Sequence, residues 1–400
     1  GKFEKASWNE VFNIIKAKFK ITDKEKICGF TGDLVNMETQ YIFKEFFNKT
    51  LNSQNVESRN DQTYLNPNKR ENYLFNSTID GIENADFIFL IGSNPRYEAT
   101  ILNARIRKSY LENKIKIISL NDVGDLTYPY ESLNSDIQNL KDIIEDKHEI
   151  SNLIKQSKKP LIIFGQSVLK SNSAKFVFES MKSFLKKNNK ITKEWNSLNI
   201  ISENASTVGG FDLGLYKTQD GSNKLLNDLY NHKFEIVYLL GQDNLKLKKQ
   251  NEFIIYQGSH GDNGAEMADI ILPGSAYTEQ DGYFTNLEGK LQKAYKASYP
   301  PDEAKEDWSI INELAEAMNH RKLFNDKDEL DSSLLNQINL LLEKNDSMEK
   351  IDVKDLIFEK EILKIDNKDY YYSNVIARAS KTMFECKNTK IKLKSTGTEG

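Results

Sequence analysis

The chain has 400 residues, 28% of them charged and 38% hydrophobic, and a formal net charge of −4. That length supports two or three domains with sizeable cores. The near balance of charge argues against a general nucleic-acid binder, whose surface must neutralise phosphates. No apolar run approaches the roughly 18 residues that span a bilayer, and only two cysteines, Cys28 and Cys386, are present, which excludes a disulfide framework and fits a reducing compartment.

The first predicted element is a helix. Ser7-Trp8-Asn9-Glu10 is a capping box ahead of Val11, Phe12, Ile14 and Ile15. The chain thus opens inside a helix signal, without a basic transit segment or an apolar signal segment. We expect a separately encoded half, or a protein whose N-terminal part is absent from this sequence. Strand-sized apolar runs then recur at Ile27–Thr31, Phe87–Ile91, Ile115–Leu120, Leu161–Phe164, Leu198–Ile201, Ile236–Leu240, Phe253–Tyr256 and Ile270–Leu272. Runs that are apolar throughout suit parallel sheets buried on both faces. Between them, Asn103–Leu111 and Ser173–Leu185 have helical spacing. The pattern predicts an α/β fold of two Rossmann-like, doubly wound lobes with mainly parallel sheets, plus a helical C-terminal extension.

The expected division is residues 1–150 for a first lobe with its linking helix, 151–320 for a second, and 321–400 for a helical or extended tail, with segments free to interchange between lobes. Pro273 and Gly274 end the last apolar run, and Glu279–Asn286 reads as a loop. Leu334, Leu335, Ile338, Leu340, Leu341 and Leu342 mark a helix. Tyr370-Tyr371-Tyr372 precedes Val375, Ile376, Ala379 and Met383 at helical spacing, and Lys390–Gly400 reads as disordered.

Two small-residue turns stand where α/β folds bind ligands. Gly92-Ser93-Asn94-Pro95-Arg96 follows the strand Phe87–Ile91, and its backbone N–H groups could cradle a phosphate. The plainer reading is a tight strand-to-helix turn, and neither G-x-G-x-x-G nor a P-loop motif is present. Gly258-Ser259-His260-Gly261-Asp262-Asn263-Gly264 is the second. There His260 is a candidate general base with Asp262 to orient it, against the plainer reading that both bond the loop's own backbone. Arg105, Arg107 and Lys108, on a helix expected from about Glu98, suit phosphate or an acidic partner, or else a salt-bridged helix face. Two distant cysteines and four scattered histidines (His148, His232, His260, His320) cannot supply the thiolate-rich ligand set of an iron–sulfur cluster or a structural zinc site.

One stretch carries more information than these. Ala268-Asp269-Ile270-Ile271-Leu272-Pro273-Gly274-Ser275-Ala276-Tyr277-Thr278-Glu279, followed by Tyr283-Phe284-Thr285-Asn286-Leu287-Glu288-Gly289-Lys290, resembles the signature of molybdopterin oxidoreductases. It also resembles their cofactor-free descendant, the C-terminal domain of the largest iron–sulfur subunit of respiratory complex I (NADH:ubiquinone oxidoreductase). Further pieces occur in the family's order: Asn72–Ile82, Gly92–Arg96, Asn103–Lys108, Asp125-Leu126-Thr127-Tyr128, Tyr256-Gln257-Gly258, Glu306–Ile311 and Ala377–Met383. The last is similar to the tail of mitochondrial and α-proteobacterial subunits. The likeness runs from about Ser7 to Cys386.

The chain departs from the molybdenum enzymes at three places. No metal-ligand motif is recognisable around Ser58 or Asp61, Ser119-Leu120-Asn121-Asp122-Val123 lacks their acidic-Pro-Arg pattern, and their C-terminal β-barrel is not evident. The resemblance therefore implies a non-catalytic structural domain of the complex I peripheral arm, with no catalytic, cofactor-binding or metal residue and a relic pocket at Gly92, Ser93, Asn94, Gly258, His260 and Gly261. The family's iron–sulfur clusters belong to an N-terminal part outside these 400 residues. The implied partners are that part and other hydrophilic-arm subunits, on the matrix side of the mitochondrial inner membrane or the cytoplasmic face of a bacterial one. The Tyr370–Met383 segment is the candidate partner contact, or folds back onto its own domain. The alternatives are a stand-alone oxidoreductase keeping its pterin, and a nucleotide-binding regulatory module at the Gly92 or Gly258 turn.

Overall fold

A computed structural model of the chain describes residues 3–343, 353, 355–366 and 369–395. The strands are β1 (Ile27–Thr31), β2 (Val56–Glu57), β3 (Phe87–Ile91), β4 (Lys116–Ser119), β5 (Glu131–Ser132), β6 (Pro160–Phe164), β7 (Leu198–Ile200), β8 (Ile236–Leu240), β9 (Phe253–Gly258), β10 (Ile270–Pro273), β11 (Gly282–Thr285) and β12 (Leu291–Ala294). All eight apolar runs singled out in the sequence are strands. Together with β2 and β5 they form two five-stranded sheets, ordered β10-β9-β8-β1-β2 and β5-β4-β3-β6-β7, with every pair parallel. β1, β3, β6 and β8 are buried along their whole length, which is why their sequences lack alternation.

The first sheet takes its strands from both ends of the chain. The second is a continuous block between them. A boundary at residue 150 therefore falls inside the second sheet, between β5 and β6, and the division into 1–150 and 151–320 does not follow the sheets. The physical reason is that β1 pairs with β8 over five residues, so the chain must leave the first lobe after β2 and return after β7. The expected C-terminal part at 321–400 is helical, as its leucine spacing implies, but its first helix is built into the first lobe. The helix Lys327–Glu343 buries Leu330, Leu334 and Ile338 and packs on the helix Met37–Glu45. There Lys327 Nζ lies 3.0 Å from Glu38 Oε1.

The N-terminal helix Trp8–Ile21 has the expected capping box. It lays Phe12, Ile15 and Phe19 into a core shared with Phe43, Phe46, Phe47 and Tyr238. Gly29, in the middle of β1, lets that aromatic layer approach: a Cβ there would lie 2.6 Å from the rings of Phe43 and Phe47.

Two further expectations are corrected. Glu279–Asn286 is not a loop throughout, because Gly282–Thr285 pairs antiparallel with Leu291–Ala294. Tyr283, Phe284 and Thr285 favour a strand. Asn286 closes the turn, accepting from the backbone N–H groups of Glu288 (3.1 Å) and Lys290 (2.8 Å), with Gly289 at φ +84. Lys390 is not in a disordered tail but in the helix Lys381–Ser395; residues 396–400 lie outside the described residues. Lys390 is 5.7 Å from the Tyr371 ring centroid and Lys387 is 4.2 Å from that of Tyr372, cation–π contacts that favour order there.

The two passages between the lobes are joined by buried charge. Arg59 follows β2 on the outgoing passage and is 4% exposed. Its guanidinium donates to both oxygens of Glu57 (2.9 and 2.8 Å) and to the carbonyls of Gly221 (2.8 Å) and Ser222 (3.0 Å) on the returning passage. Arg70 repeats the device with Asp212 (2.9 and 2.8 Å) and the Gly289 carbonyl (2.7 Å). Replacing Arg59 by Met strands the Glu57 carboxylate, and breaking a buried pair this way costs about 3–5 kcal/mol. Urea unfolding of Arg59→Met should therefore show a loss of that size; a loss below about 1 kcal/mol, the worth of an exposed pair, would refute the stitching role.

Candidate functional site

In open parallel sheets a ligand site forms beyond the carboxyl ends of the strands, where strand order reverses. In the first sheet that point lies between β1 and β8. Gly32 follows β1 and presses on Gly241 after β8, so closely that a Cβ on Gly32 would sit 1.6 Å from the Gly241 carbonyl oxygen. Gln242 Nε2 donates to the Thr31 carbonyl (2.9 Å) and locks the two turns together. The groups that surround this closed crevice are acidic. Asp33 accepts from Asn60 Nδ2 (3.2 Å) and from Asn244 Nδ2. Asp243 lies 2.9 Å from the Tyr256 hydroxyl. Burial pushes its carboxyl up to about 6, and Asp262 and Asp33 nearby push the same way.

The Gly258 turn sits beside it. Gly258 accommodates the Tyr256 side chain, whose hydroxyl would be 2.4 Å from an added Cβ. His260 does not pair with Asp262. Its Nδ1 is 2.9 Å from Ser259 Oγ, and Asp262 instead binds Arg378 Nε. Gly261 is an exposed turn residue.

In the second sheet the reversal lies between β3 and β6. Gly92 adopts φ +60, and Gly165 after β6 closes on it, 2.3 Å from an added Cβ to the Gly92 carbonyl. Ser93 and Asn94 are buried. The Asn94 N–H donates to Glu98 Oε1 (2.6 Å) and its Nδ2 to the Val123 carbonyl (3.1 Å). The chain's own C-terminal extension lies across this end. Leu363 is 4% exposed and stands 3.1 Å from where a Gly92 Cβ would be. Its N–H donates to the Ser135 carbonyl (2.8 Å) and its carbonyl accepts from Asn121 Nδ2 (2.8 Å). The Asp366 N–H donates to Ser167 Oγ (3.0 Å). Extended chain thus crosses the carboxyl ends of β5, β4, β3 and β6.

Next to the Gly92 turn is a cavity of about 650 Å³, walled by Tyr97, Glu98 and Glu203 on one side and Tyr370, Asn374 and Met383 on the other. Burial pushes the Glu98 carboxyl up to about 7; the Asn94 N–H opposes this and Glu203 adds to it. Arg378 binds the rim at Asp262; other cations near the two crevices are committed elsewhere. Arg59 and Arg70 stitch the passages, Lys170 pairs with Asp61 (2.9 Å), and Lys44 donates to the Leu213 carbonyl (2.5 Å). Ser58 Oγ donates to the Leu215 carbonyl (3.1 Å). Arg105, Arg107 and Lys108 face outward: Arg105 and Lys108 bind Glu83, and Arg107 reaches the Thr127 carbonyl (3.3 Å). Among the described residues no group of three His, Cys, Asp or Glu side chains could hold a metal ion.

Sequence reasoning found the Gly92 and Gly258 turns but not Asp33, Gln242, Asp243 or Glu98. Gly241-Gln242-Asp243 carried the same signal, a glycine directly after an apolar strand. Leu363 carried none, because its place depends on the route of the tail.

The molybdopterin oxidoreductase family model matches residues 1–317. The chain is 36% identical over 407 residues to the NADH-ubiquinone oxidoreductase 75 kDa subunit of Reclinomonas americana, a match covering 96% of this chain and 58% of that protein. It is 37% identical over 404 residues to an NADH-quinone oxidoreductase subunit of Rickettsia bellii (99% and 57%). It is 37% identical over 412 residues to the mitochondrial NADH-ubiquinone oxidoreductase 78 kDa subunit of Candida albicans (97% and 55%). The chain thus spans a little over half the length of these relatives. Among solved structures, the formyltransferase/hydrolase complex of Methylorubrum extorquens superposes with a TM-score of 0.56 at 10% identity, over 80% of this chain and 98% of that one. The acetylene hydratase of Pelobacter acetylenicus gives 0.52 at 12%, over 79% and 59%. At those identities the likeness is one of fold.

A molybdopterin cofactor is a phosphate-bearing anion, so the charges and packing at the two reversal points decide how well such a group would be held there. The crevice of the first sheet is rimmed by Asp33, Asp243 and Asp262, and the Gly92 turn of the second is covered by Leu363. Like charge at the rim repels a phosphate, and a buried leucine leaves its backbone cradle no room.

Glu98 offers a test of the acidic cavity. Its folded-state value lies above the ordinary 4.5, so its contribution to stability is present below that value and is lost as pH rises toward about 7. We expect Glu98→Gln to flatten the pH dependence of the melting temperature across that window relative to the parent chain. Parallel curves for the two proteins would show that the carboxyl is not held in this environment.

Proposed function

The chain belongs to the molybdopterin oxidoreductase family, and on that premise we propose that it is a non-catalytic structural domain of the peripheral arm of respiratory complex I. The observation that carries this reading is the mismatch between the family's anionic cofactor and two strand-end crevices, one edged with carboxylates and the other covered by Leu363 of the chain's own tail. The names borne by its relatives supply the assembly: each is a subunit of an NADH–quinone or NADH–ubiquinone oxidoreductase. With two cysteines in the sequence, the chain itself holds no iron–sulfur cluster. Its partners are the iron–sulfur-bearing N-terminal part of the family subunit and neighbouring hydrophilic-arm subunits. No described helix is long and apolar enough to cross a membrane. The role is a peripheral one, on the matrix face of the mitochondrial inner membrane or its bacterial equivalent.

Chemically, such a domain contributes rigidity. Two sheets whose central strands are buried on both faces, stitched by Arg59 and Arg70, give a fixed body against which redox-active neighbours can be held. Native-gel migration of the tagged chain, with mass spectrometry of what co-migrates, tests the reading. Migration in a large NADH-oxidising assembly with flavin and iron–sulfur subunits is the expected result. Migration alone near 46.0 kDa would contradict it.

A further inference from the structure

The C-terminal extension touches both lobes, and the two contacts differ in kind. The first is a clip on the second sheet. Ile362 forms an antiparallel bridge with Asp136, Leu363 is buried against the Gly92 turn, and Ser173 exchanges hydrogen bonds with the backbone of Glu359 (2.9 and 2.8 Å). This contact rests on buried apolar surface and backbone pairing. The second is a strap of residues 369–391 that no residue of its two short helical segments, Tyr370–Tyr372 and Val375–Ala379, anchors by full burial. The strap holds its own shape. Asp369 pairs with Lys387, and Asn374 caps the second segment by accepting from the Ala377 N–H (2.9 Å). Among the described residues it pairs with the first lobe through Arg378 on Asp262.

We propose that the extension is a two-point clasp: a permanent clip at Leu363 and a releasable latch at Arg378 that closes the strap over the mouth of the cleft. Arg378 supplies the rim of Asp33, Asp243 and Asp262 with the positive charge that an anionic ligand could not. Both partners are about three-quarters buried, at 25% and 23% side-chain exposure, so the latch is stronger than a surface pair yet remains sensitive to salt. Opening leaves the clip in place and uncovers the acidic rim and the cavity beside Glu98. The clasp rests on contacts within this chain and stands or falls apart from the complex I reading.

Hydrogen–deuterium exchange on the full chain tests it. In Arg378→Ala we expect exchange across residues 369–391 to rise about five-fold, the equivalent of roughly 1 kcal/mol, while residues 359–366 keep their protection. Salt of about 1 M, which shortens the screening length to about 3 Å, should loosen the strap of the parent chain in the same direction. The charge exchange Asp262→Arg with Arg378→Asp should restore protection that each single change removes. Unchanged exchange in Arg378→Ala would overturn the latch. Simultaneous loss at 359–366 and 369–391 would overturn the two-point division. Failure of the exchanged pair to restore protection would overturn the ion pair as its cause.

Discussion

The guanidinium of Arg59 is where the two lobes become one molecule. A chain that begins a parallel sheet, leaves to build a second and returns to finish the first must pass twice between them, and on the returning passage Gly221 and Ser222, between two short helices, present carbonyls to the other passage. Arg59 satisfies carbonyls on the returning passage while its charge is neutralised by Glu57 at the end of β2, and its plane stacks 5.3 Å from the Phe211 ring centroid. A single planar fork of five N–H donors can do this; an ammonium cannot. Everything that faces the cleft is positioned by these crossings.

The cleft so formed has the geometry of a ligand site and the chemistry of a filled one. The reversal points of both sheets carry the close-packed glycines that let backbone approach a phosphate. At each, protein now occupies that approach: Gly241 on Gly32 in the first sheet, and Gly165 with Leu363 on Gly92 in the second. Buried carboxyls raised toward neutrality, Asp243 at about 6 and Glu98 at about 7, mark places where negative charge is already costly.

Much of this was legible from the residues. Strands buried on both faces lose their alternation and stand out as apolar runs, so all eight long enough to have a core were found. The capping box at Ser7 and the turn at Gly92 depend on neighbours within a few positions. What escaped depends on distance along the chain. β2 and β5 are two residues each. The β11–β12 hairpin hides behind polar partners at Lys293 and Gln292. The boundary between lobes was misplaced because sequence continuity hides the return of β8 to β1. The Asn121–Leu363 and Asp262–Arg378 contacts join residues 242 and 116 positions apart, and no local pattern announces them. The Tyr370–Met383 segment was read as either a partner contact or a fold-back, and in the isolated chain it folds back.

We propose that the strand-end crevices are closed to the family's cofactor. Elemental and pterin analysis of the chain, isolated from its native assembly without chelators, measures that directly. The account predicts molybdenum, tungsten and pterin far below one per chain. Stoichiometric metal together with pterin would contradict it, and would require Leu363 and Arg378 to stand elsewhere when the cofactor is bound.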